Sequence, residues 1–262
     1  MNPTLVPTVF LNMLDLAHPS WRPSLAAGLE AVAQADPAYL PALAADTYLP
    51  TEGRLFAAFA QALDAVRYVL VGEGPYPREQ SATGFCFMDG AVESFWSEKG
   101  LSKQVNRATS LRNFMKMLLV ADGQLAIEQT NGDAMTLISL KARAIASPFI
   151  QTLGDMQKNL ISHGFLLLNA ALVFRPHVPP LKEAKAWQPF LQTVLTALAD
   201  HAETAGRAPP TLVLWGKVAE LLSVLPANAR FPKAVSEHPY NLSFIANPTM
   251  QALFQPMHLL QK

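Results

Sequence analysis

The sequence predicts an α/β protein with a short, mostly parallel four-stranded sheet flanked by helices. Continuous apolar runs bounded by Gly or polar residues are typical of strands buried on both faces of a parallel sheet. Amphipathic helical patterns alternate with these runs, as in doubly wound folds. With 262 residues, half of them hydrophobic, the chain can bury one sizeable core.

Four segments account for the predicted sheet. The strongest are 67–72 (RYVLVG), 164–170 (GFLLLNA) and 211–216 (TLVLWG). The fourth, 233–237 (KAVSE), is less apolar and is expected nearer a sheet edge.

The helical segments between the strands follow a 3.6-residue period. Residues 109–121 form an amphipathic pattern with Thr109 or Ser110 as the N-cap. A long helix is expected over 187–206, beginning near Pro189, and a shorter one over 217–226.

The organisation of the chain favours one domain. Residues 1–54 are helical and rich in proline, and we interpret them as an N-terminal helical cap of the same domain. Residues 55–262 contain the predicted sheet and form the α/β domain.

Composition limits the classes of function. Twenty basic and twenty acidic residues balance, so bulk charge does not indicate a nucleic-acid binder and such a role requires a local patch. The single cysteine, Cys86, excludes an internal disulfide and fits a reducing compartment. The N-terminus lacks the pattern of a signal peptide, and no apolar run is long enough to span a bilayer. We expect a cytoplasmic monomer with no metal, cofactor or membrane partner.

Polar clusters follow each predicted strand. Parallel strands bring their carboxyl ends to one edge of a sheet, so these loops should share one crevice. A carboxamide there can read adjacent N–H and C=O groups of a pyrimidine, a ring can stack on a base, and an imidazole can stabilise a departing oxygen. The clusters are GEGPYP (72–77), GFCF (84–87), Asn169, WGK (215–217) and HPYNLS (238–243).

These segments resemble, in order, the motifs of the uracil-DNA glycosylase superfamily, most closely family 1, over residues 55–262. The family's GQDPYH and GLAF correspond to GEGPYP and GFCF, and its HPSPLS to HPYNLS. Three further matches are LLLN (166–169), VLWGKVA (213–219, family LLWGSxA) and LGDM (153–156).

The resemblance implies a role for each matched residue. Phe87 would stack on a flipped base, Asn169 would pair with the edge of that base, and Tyr76 would exclude thymine. His238 would donate to O2 of the base, and Leu242 would wedge into the duplex. Gly72 and Gly74 would let the backbone of the GEGPYP turn approach the edge of the base. The residues touching DNA phosphates would be Ser110, Lys217 and Ser243.

The sequence departs from the family at the water-activating Asp, where it has Gly74, and at the following His, where it has Pro77. Three alternatives remain open. Glu73 supplies the carboxylate, as the GEAPG loop of family 4 suggests; Asn169 and His238 suffice with a bound water; or the protein binds without cutting. If Gly74 has a positive φ, an aspartate there would strain the turn.

The predicted function is recognition of a flipped uracil or related pyrimidine in single- or double-stranded DNA. Hydrolysis of its N-glycosidic bond would be reduced or altered by Gly74. The alternatives are a non-catalytic base- or DNA-binding module and an interaction protein that retains only the scaffold. A basic run that either faces phosphates or forms a solvated helix face comprises Lys99, Lys103, Arg107, Arg112 and Lys116.

Overall fold

The computed structural model describes residues 6–262. Its main sheet has four strands in the order β4-β1-β5-β6, and β2 and β3 form a separate antiparallel pair. The strands are β1 (Tyr68–Gly72), β2 (Trp96–Ser97), β3 (Gly100–Leu101), β4 (Phe165–Asn169), β5 (Thr211–Trp215) and β6 (Lys233–Ser236). The predicted α/β fold and all four predicted strands are confirmed, each end within one residue.

Ten α-helices and several 3₁₀ turns surround these strands within residues 6–262. The helices are α1 (Thr8–Met13), α2 (Arg22–Ala35), α3 (Tyr39–Ala44), α4 (Lys103–Arg107), α5 (Thr109–Ala121), α6 (Gly132–Arg143), α7 (Leu153–Ser162), α8 (Pro180–Thr204), α9 (Val218–Ser223) and α10 (Pro248–Phe254).

The central strand pair follows directly from its sequence. Strands β1 and β4 are parallel and in register from Tyr68 opposite Phe165 to Gly72 opposite Asn169. All five residues of β4 are buried, as are the three central residues of β1. A strand buried on both faces needs apolar side chains at every position, which is why these segments are unbroken apolar runs.

The chain divides into two compact units. One contains the segment that ends at Met88, together with Gly164–Val213 and Val218–Lys233. Its core includes Phe190 of α8, whose ring lies 5.9 Å from that of Phe56 and 5.4 Å from that of Trp187. Helix α2 packs along α8 in this unit.

The other unit contains Asp89–His163, Leu214–Lys217 and Ala234–Lys262. Phe114 of α5 is at its centre, with ring centroids 5.6 Å from Trp215 and 5.1 Å from Phe254. Helix α7 begins with a capping box, in which Thr152 and Asp155 satisfy each other's backbone N–H groups.

Three details of the helix predictions were wrong. Helix α8 begins at Pro180, not near Pro189, and continues through Pro189. Proline suits the first turn of a helix, where its missing N–H has no partner in any case, and Ala184 and Trp187 of the added turns are buried. Helix α5 has Ala108 at its N-cap instead of Thr109 or Ser110, because α4 ends one residue earlier. Residues 217–226 form a shorter helix than predicted, α9.

Within the part of the chain that the structure describes, no helix combines the length and apolar character needed to cross a membrane.

Candidate active site

The GEGPYP loop continues the pairing of β1 with β4 beyond both strands. The N–H of Ala170 donates to the carbonyl of Gly72 (2.8 Å), and the N–H of Ala171 donates to the carbonyl of Glu73 (3.1 Å). These hydrogen bonds fix the backbone of the loop against the segment after Asn169. The tight turn predicted from the sequence is therefore anchored on its strand side.

Asn169 ends β4 with a buried side chain, 5% exposed. A Cβ atom on Gly72 would lie 2.8 Å from its Oδ1 and 3.2 Å from Cβ of Cys86. Glycine at position 72 therefore leaves the space that the amide oxygen occupies. The amide makes no hydrogen bond to any other residue in the described range 6–262. Neither amide atom is among the fully buried side-chain atoms without a partner, so the amide keeps some solvent contact and is open to a ligand.

Cys86 is joined by hydrogen bonds to both β1 and β4. The N–H of Cys86 donates to the carbonyl of Leu167 in β4 (3.0 Å), and its Sγ donates to the carbonyl of Leu70 in β1 (3.4 Å). Burial raises the pKa of the Cys86 thiol well above its ordinary value, so the thiol stays protonated and acts as a donor.

Phe87 has a left-handed backbone, with φ of 66°. A non-glycine residue in this region costs of order ~1 kcal/mol and persists only where its surroundings hold it. The Tyr76 hydroxyl donates to the carbonyl of Phe87 at 3.5 Å, a long contact that joins the GEGPYP and GFCF segments. The two aromatic residues predicted to shape a base slot are thus brought together.

Glu73 and Gly74 are both exposed. Gly74 does not have a positive φ, and a Cβ atom there would meet only Ala171, at 3.6 Å from its Cβ. This is ordinary van der Waals contact, so the position accepts a side chain without backbone strain. The Glu73 carboxylate makes no hydrogen bond or ion pair with another residue of the range 6–262.

A cavity of about 230 Å³ adjoins Glu73, Gly74 and Pro77, the three positions at which GEGPYP departs from the family's GQDPYH. Two carboxylates line this cavity, those of Glu73 and the buried Glu183. The Glu183 carboxylate is already bound to Arg175 Nε (2.5 Å) and to the Tyr39 hydroxyl (2.6 Å). The carboxylate free to act in this cavity is therefore that of Glu73. The cavity is lined by Glu73, Gly74, Pro75, Pro77, Ala171, Val173, Phe174, Val178, Pro180 and Glu183.

His238 lies exposed in the loop that follows β6. Its Nδ1 accepts the backbone N–H of Tyr240 at 3.1 Å. Because that nitrogen is an acceptor, the neutral imidazole carries its hydrogen on Nε2, which can donate to a ligand. Gly216 (φ of 60°) lies beneath it, where a Cβ atom would be 3.0 Å from Cβ of His238.

The residues predicted to touch DNA lie in the same unit as His238, the one that contains Asp89–His163, Leu214–Lys217 and Ala234–Lys262. Leu242 is 69% exposed and begins a short 3₁₀ turn, and Ser243 and Lys217 are also exposed. Ser110 is half-buried in the first turn of α5. Within the basic run, Lys116 is buried and donates to Oδ1 of Asn131 (2.5 Å), so it does not belong to a solvated face.

Sequence reasoning missed three residues that shape these loops. Asn113 donates to the carbonyl of Pro239 (2.8 Å), Gly216 gives room to His238, and Glu237 accepts a hydrogen bond from Asn247 (2.8 Å). Gly216 could have been found from the sequence, because a glycine directly after the apolar run 211–215 indicates a turn at the end of the strand. Nothing in the local sequence distinguishes Asn113 from a solvent-facing amide.

The whole chain is similar to a solved structure. The wild-type UNG from Nitratifractor salsuginis aligns over 100% of both chains, with 35% sequence identity and a TM-score of 0.87. The chain belongs to the uracil-DNA glycosylase superfamily. This confirms the resemblance found in the sequence and the predicted enzyme class, a DNA glycosylase.

Curated relatives of this superfamily member are more distant. The uracil-DNA glycosylase of Parafrankia sp. (strain EAN1pec) is 27% identical over 228 residues, 86% of this chain and 81% of the relative. That of Mycobacterium sp. (strain KMS) is 28% identical over 231 residues, 87% of this chain and 83% of the relative. No family model matches the chain.

Proposed function

We propose that this protein recognises a flipped uracil, or a related pyrimidine, in DNA and hydrolyses its N-glycosidic bond slowly. The observation that carries the proposal is the buried, unpaired amide of Asn169 beside Gly72. A carboxamide donates and accepts at once, which matches the adjacent O4 and N3–H of uracil.

The walls of the base slot are assigned to aromatic side chains. Phe87 stacks on the base, and its left-handed backbone supports a role that requires a fixed ring orientation. Tyr76, joined to the carbonyl of Phe87, limits space at C5 of the pyrimidine and excludes a methyl group. This pair makes the pocket selective for uracil over thymine.

His238 is the proposed electrophile. When the bond between C1′ and N1 breaks, its electron pair passes to the base, and negative charge grows on O2. The Nε2–H of a neutral imidazole donates to that oxygen and lowers the barrier. The hydrogen bond from Tyr240 to Nδ1 supports this role because it leaves the proton on Nε2. Water then adds to the sugar cation at C1′, and its proton passes to a carboxylate and from there to solvent.

Glu73 is the proposed, less efficient carboxylate for the sugar cation and the attacking water. Its exposed side chain borders the cavity beside Gly74 and is not engaged by other residues of the range 6–262. A glycine at position 74 provides no carboxylate of its own. Loss of one general base typically costs about 10²–10⁴ in rate, so we expect slow turnover.

DNA is the proposed partner. The exposed Leu242 would fill the space left by the flipped nucleotide, and Ser110, Lys217 and Ser243 would contact phosphates. Because the chain has no net charge, we expect modest affinity that falls steeply with salt. A monomeric state and a cytoplasmic location remain predictions from the sequence.

A non-catalytic base- or DNA-binding module is the second candidate, favoured by the absence of a side chain at Gly74. One experiment separates the two functions. Wild-type protein is incubated with single-stranded oligonucleotides that carry one uracil or none, and abasic sites are then cleaved with alkali. Uracil-dependent cleavage supports the hydrolase. A uracil-dependent gel shift without cleavage supports the binding module. If neither signal is observed, both candidate functions are overturned.

A further inference from the structure

We propose that Asn113 is a positioning residue that holds the loop of His238 and Leu242 in the shape required for base release. This inference rests on the proposed function. It assigns to a buried helix residue a role that acts through the loop and not through contact with the base.

The contacts of Asn113 are unusual for a helix residue. Its side chain in α5 is fully buried, and its Nδ2 faces three consecutive backbone carbonyls. The distances are 2.8 Å to Pro239, 3.3 Å to Tyr240 and 3.4 Å to Asn241. An amide nitrogen has two hydrogens, so the bond to Pro239 is the principal one and the other two carbonyls share what remains.

The orientation of this amide is fixed from its other end. Oδ1 of Asn113 accepts a hydrogen bond from Nε of Arg112 (3.3 Å), and Arg112 also donates to the carbonyl of Asn106 (3.2 Å). An arginine can only donate, so the amide oxygen must face it. The amide nitrogen is therefore directed at the loop.

Hydrogen bonds, and not apolar burial, hold the loop, and one of them joins Ser243 to Glu237. Of residues 238–243, all but Pro239 are exposed, so apolar burial contributes little to its shape. Inside the loop, the N–H of Tyr240 orients the imidazole of His238, and the N–H of Asn241 donates to the His238 carbonyl (2.9 Å). Asn113 donates to the carbonyls of Tyr240 and Asn241, the two residues that make these bonds, as well as to that of Pro239. Releasing them loosens both the imidazole and the neighbouring Leu242.

A matched pair of substitutions tests the inference. Asn113→Leu removes the amide donor and acceptor and keeps the number and branching of the heavy atoms. Asn159→Leu is the control, since Asn159 is an amide of α7 in the same unit that donates to the carbonyls of Leu259 (3.0 Å) and Gln261 (2.7 Å), away from the loop. We expect Asn113→Leu to lower the single-turnover rate about 10²-fold with little change in KM, because misplacement of a reacting group by about 1 Å has that effect. Asn159→Leu should retain the wild-type rate.

A second measurement does not depend on catalysis. Amide hydrogen exchange over residues 237–245 should accelerate in Asn113→Leu and stay at the wild-type rate in Asn159→Leu. If Asn113→Leu does not fold, Asn113→Ser takes its place in both measurements. Equal rate losses in the two variants, or unchanged exchange in the loop, would overturn the inference. A wild type that releases no base defeats the proposed function instead, and the exchange result then decides the inference alone.

Discussion

Gly72 and Asn169 face each other at the paired ends of β1 and β4, so closely that a methyl group on Gly72 would lie 2.8 Å from the amide oxygen of Asn169. A distance of that size forces the amide to turn. The glycine therefore determines where the buried amide points, and this relationship leads to the first prediction.

Gly72→Ala should raise KM for uracil-containing DNA and lower kcat by at least about 10-fold, because the displaced amide no longer matches the base edge. The control is Gly74→Ala, whose added Cβ meets Ala171 only at 3.6 Å. Steady-state kinetics of both variants decide the matter. Equal behaviour of the two alanine variants would show that the amide orientation does not limit recognition.

Gly74→Asp should accelerate base release, by up to about 10²–10⁴, because under the proposed function it adds the carboxylate that position 74 lacks. The backbone at Gly74 is not left-handed, so the melting temperature should change little. Rates and melting curves are measured for wild type, Gly74→Asp and Glu73→Gln.

These variants separate the possible carboxylates. A fast wild type that Glu73→Gln inactivates would identify Glu73 as sufficient and contradict the expected slow turnover. No base release from a stably folded Gly74→Asp protein would favour a binding module over a hydrolase.

His238→Ala should reduce the rate by about 10²–10³, the usual effect of removing one donor to a developing oxyanion. His258→Ala is the control, because His258 is an exposed imidazole of the same unit that contacts Asp122 (3.0 Å). Single-turnover assays compare the two. Full activity in His238→Ala would mean that the departing oxygen is stabilised by another group.

Asn169→Ala should abolish recognition at little cost in stability. The substitution loses some packing, but it breaks no hydrogen bond to another residue of the range 6–262. Asn159→Ala, which breaks two hydrogen bonds, should be the more destabilising change. Thermal melts and gel shifts test both statements; a larger loss of stability in Asn169→Ala would refute this account.

Acid should loosen the His238 loop. Partial burial raises the pKa of Glu237, but hydrogen bonds from Ser243, its own backbone and Asn247 outweigh burial and lower it overall. A lowered folded-state pKa stabilises the fold above the unfolded value, about 4.3, and that contribution is lost as pH falls through the folded value. Hydrogen exchange of residues 237–247 should therefore accelerate below about pH 4 in wild type. Below the unfolded value of about 4.3, exchange in Glu237→Gln should follow only the intrinsic exchange rate. The same acceleration in both proteins over that range would disprove the link.

Strands β1, β4 and β5 were predictable because they are largely buried, which imposes a continuous apolar pattern on the sequence. Asn169 was predictable because it interrupts that pattern at a strand end. Asn113 was not, because its partner Pro239 is 126 residues away and a single amide on a helix has no local signature of burial. The start of α8 was missed because Pro189 is tolerated inside the helix, where proline usually marks an end.

The surroundings of Gly74 have a consequence for evolution. Every glycine codon becomes an aspartate codon, or a glutamate codon that differs from it only in the third base, by one G-to-A change in the second position. Since the neighbouring Ala171 leaves room for a side chain and the backbone is unstrained, folding raises no barrier to that change. An acidic residue at this position is thus within reach of a point mutation, and selection for faster repair in a growing culture could recover it without any compensating substitution.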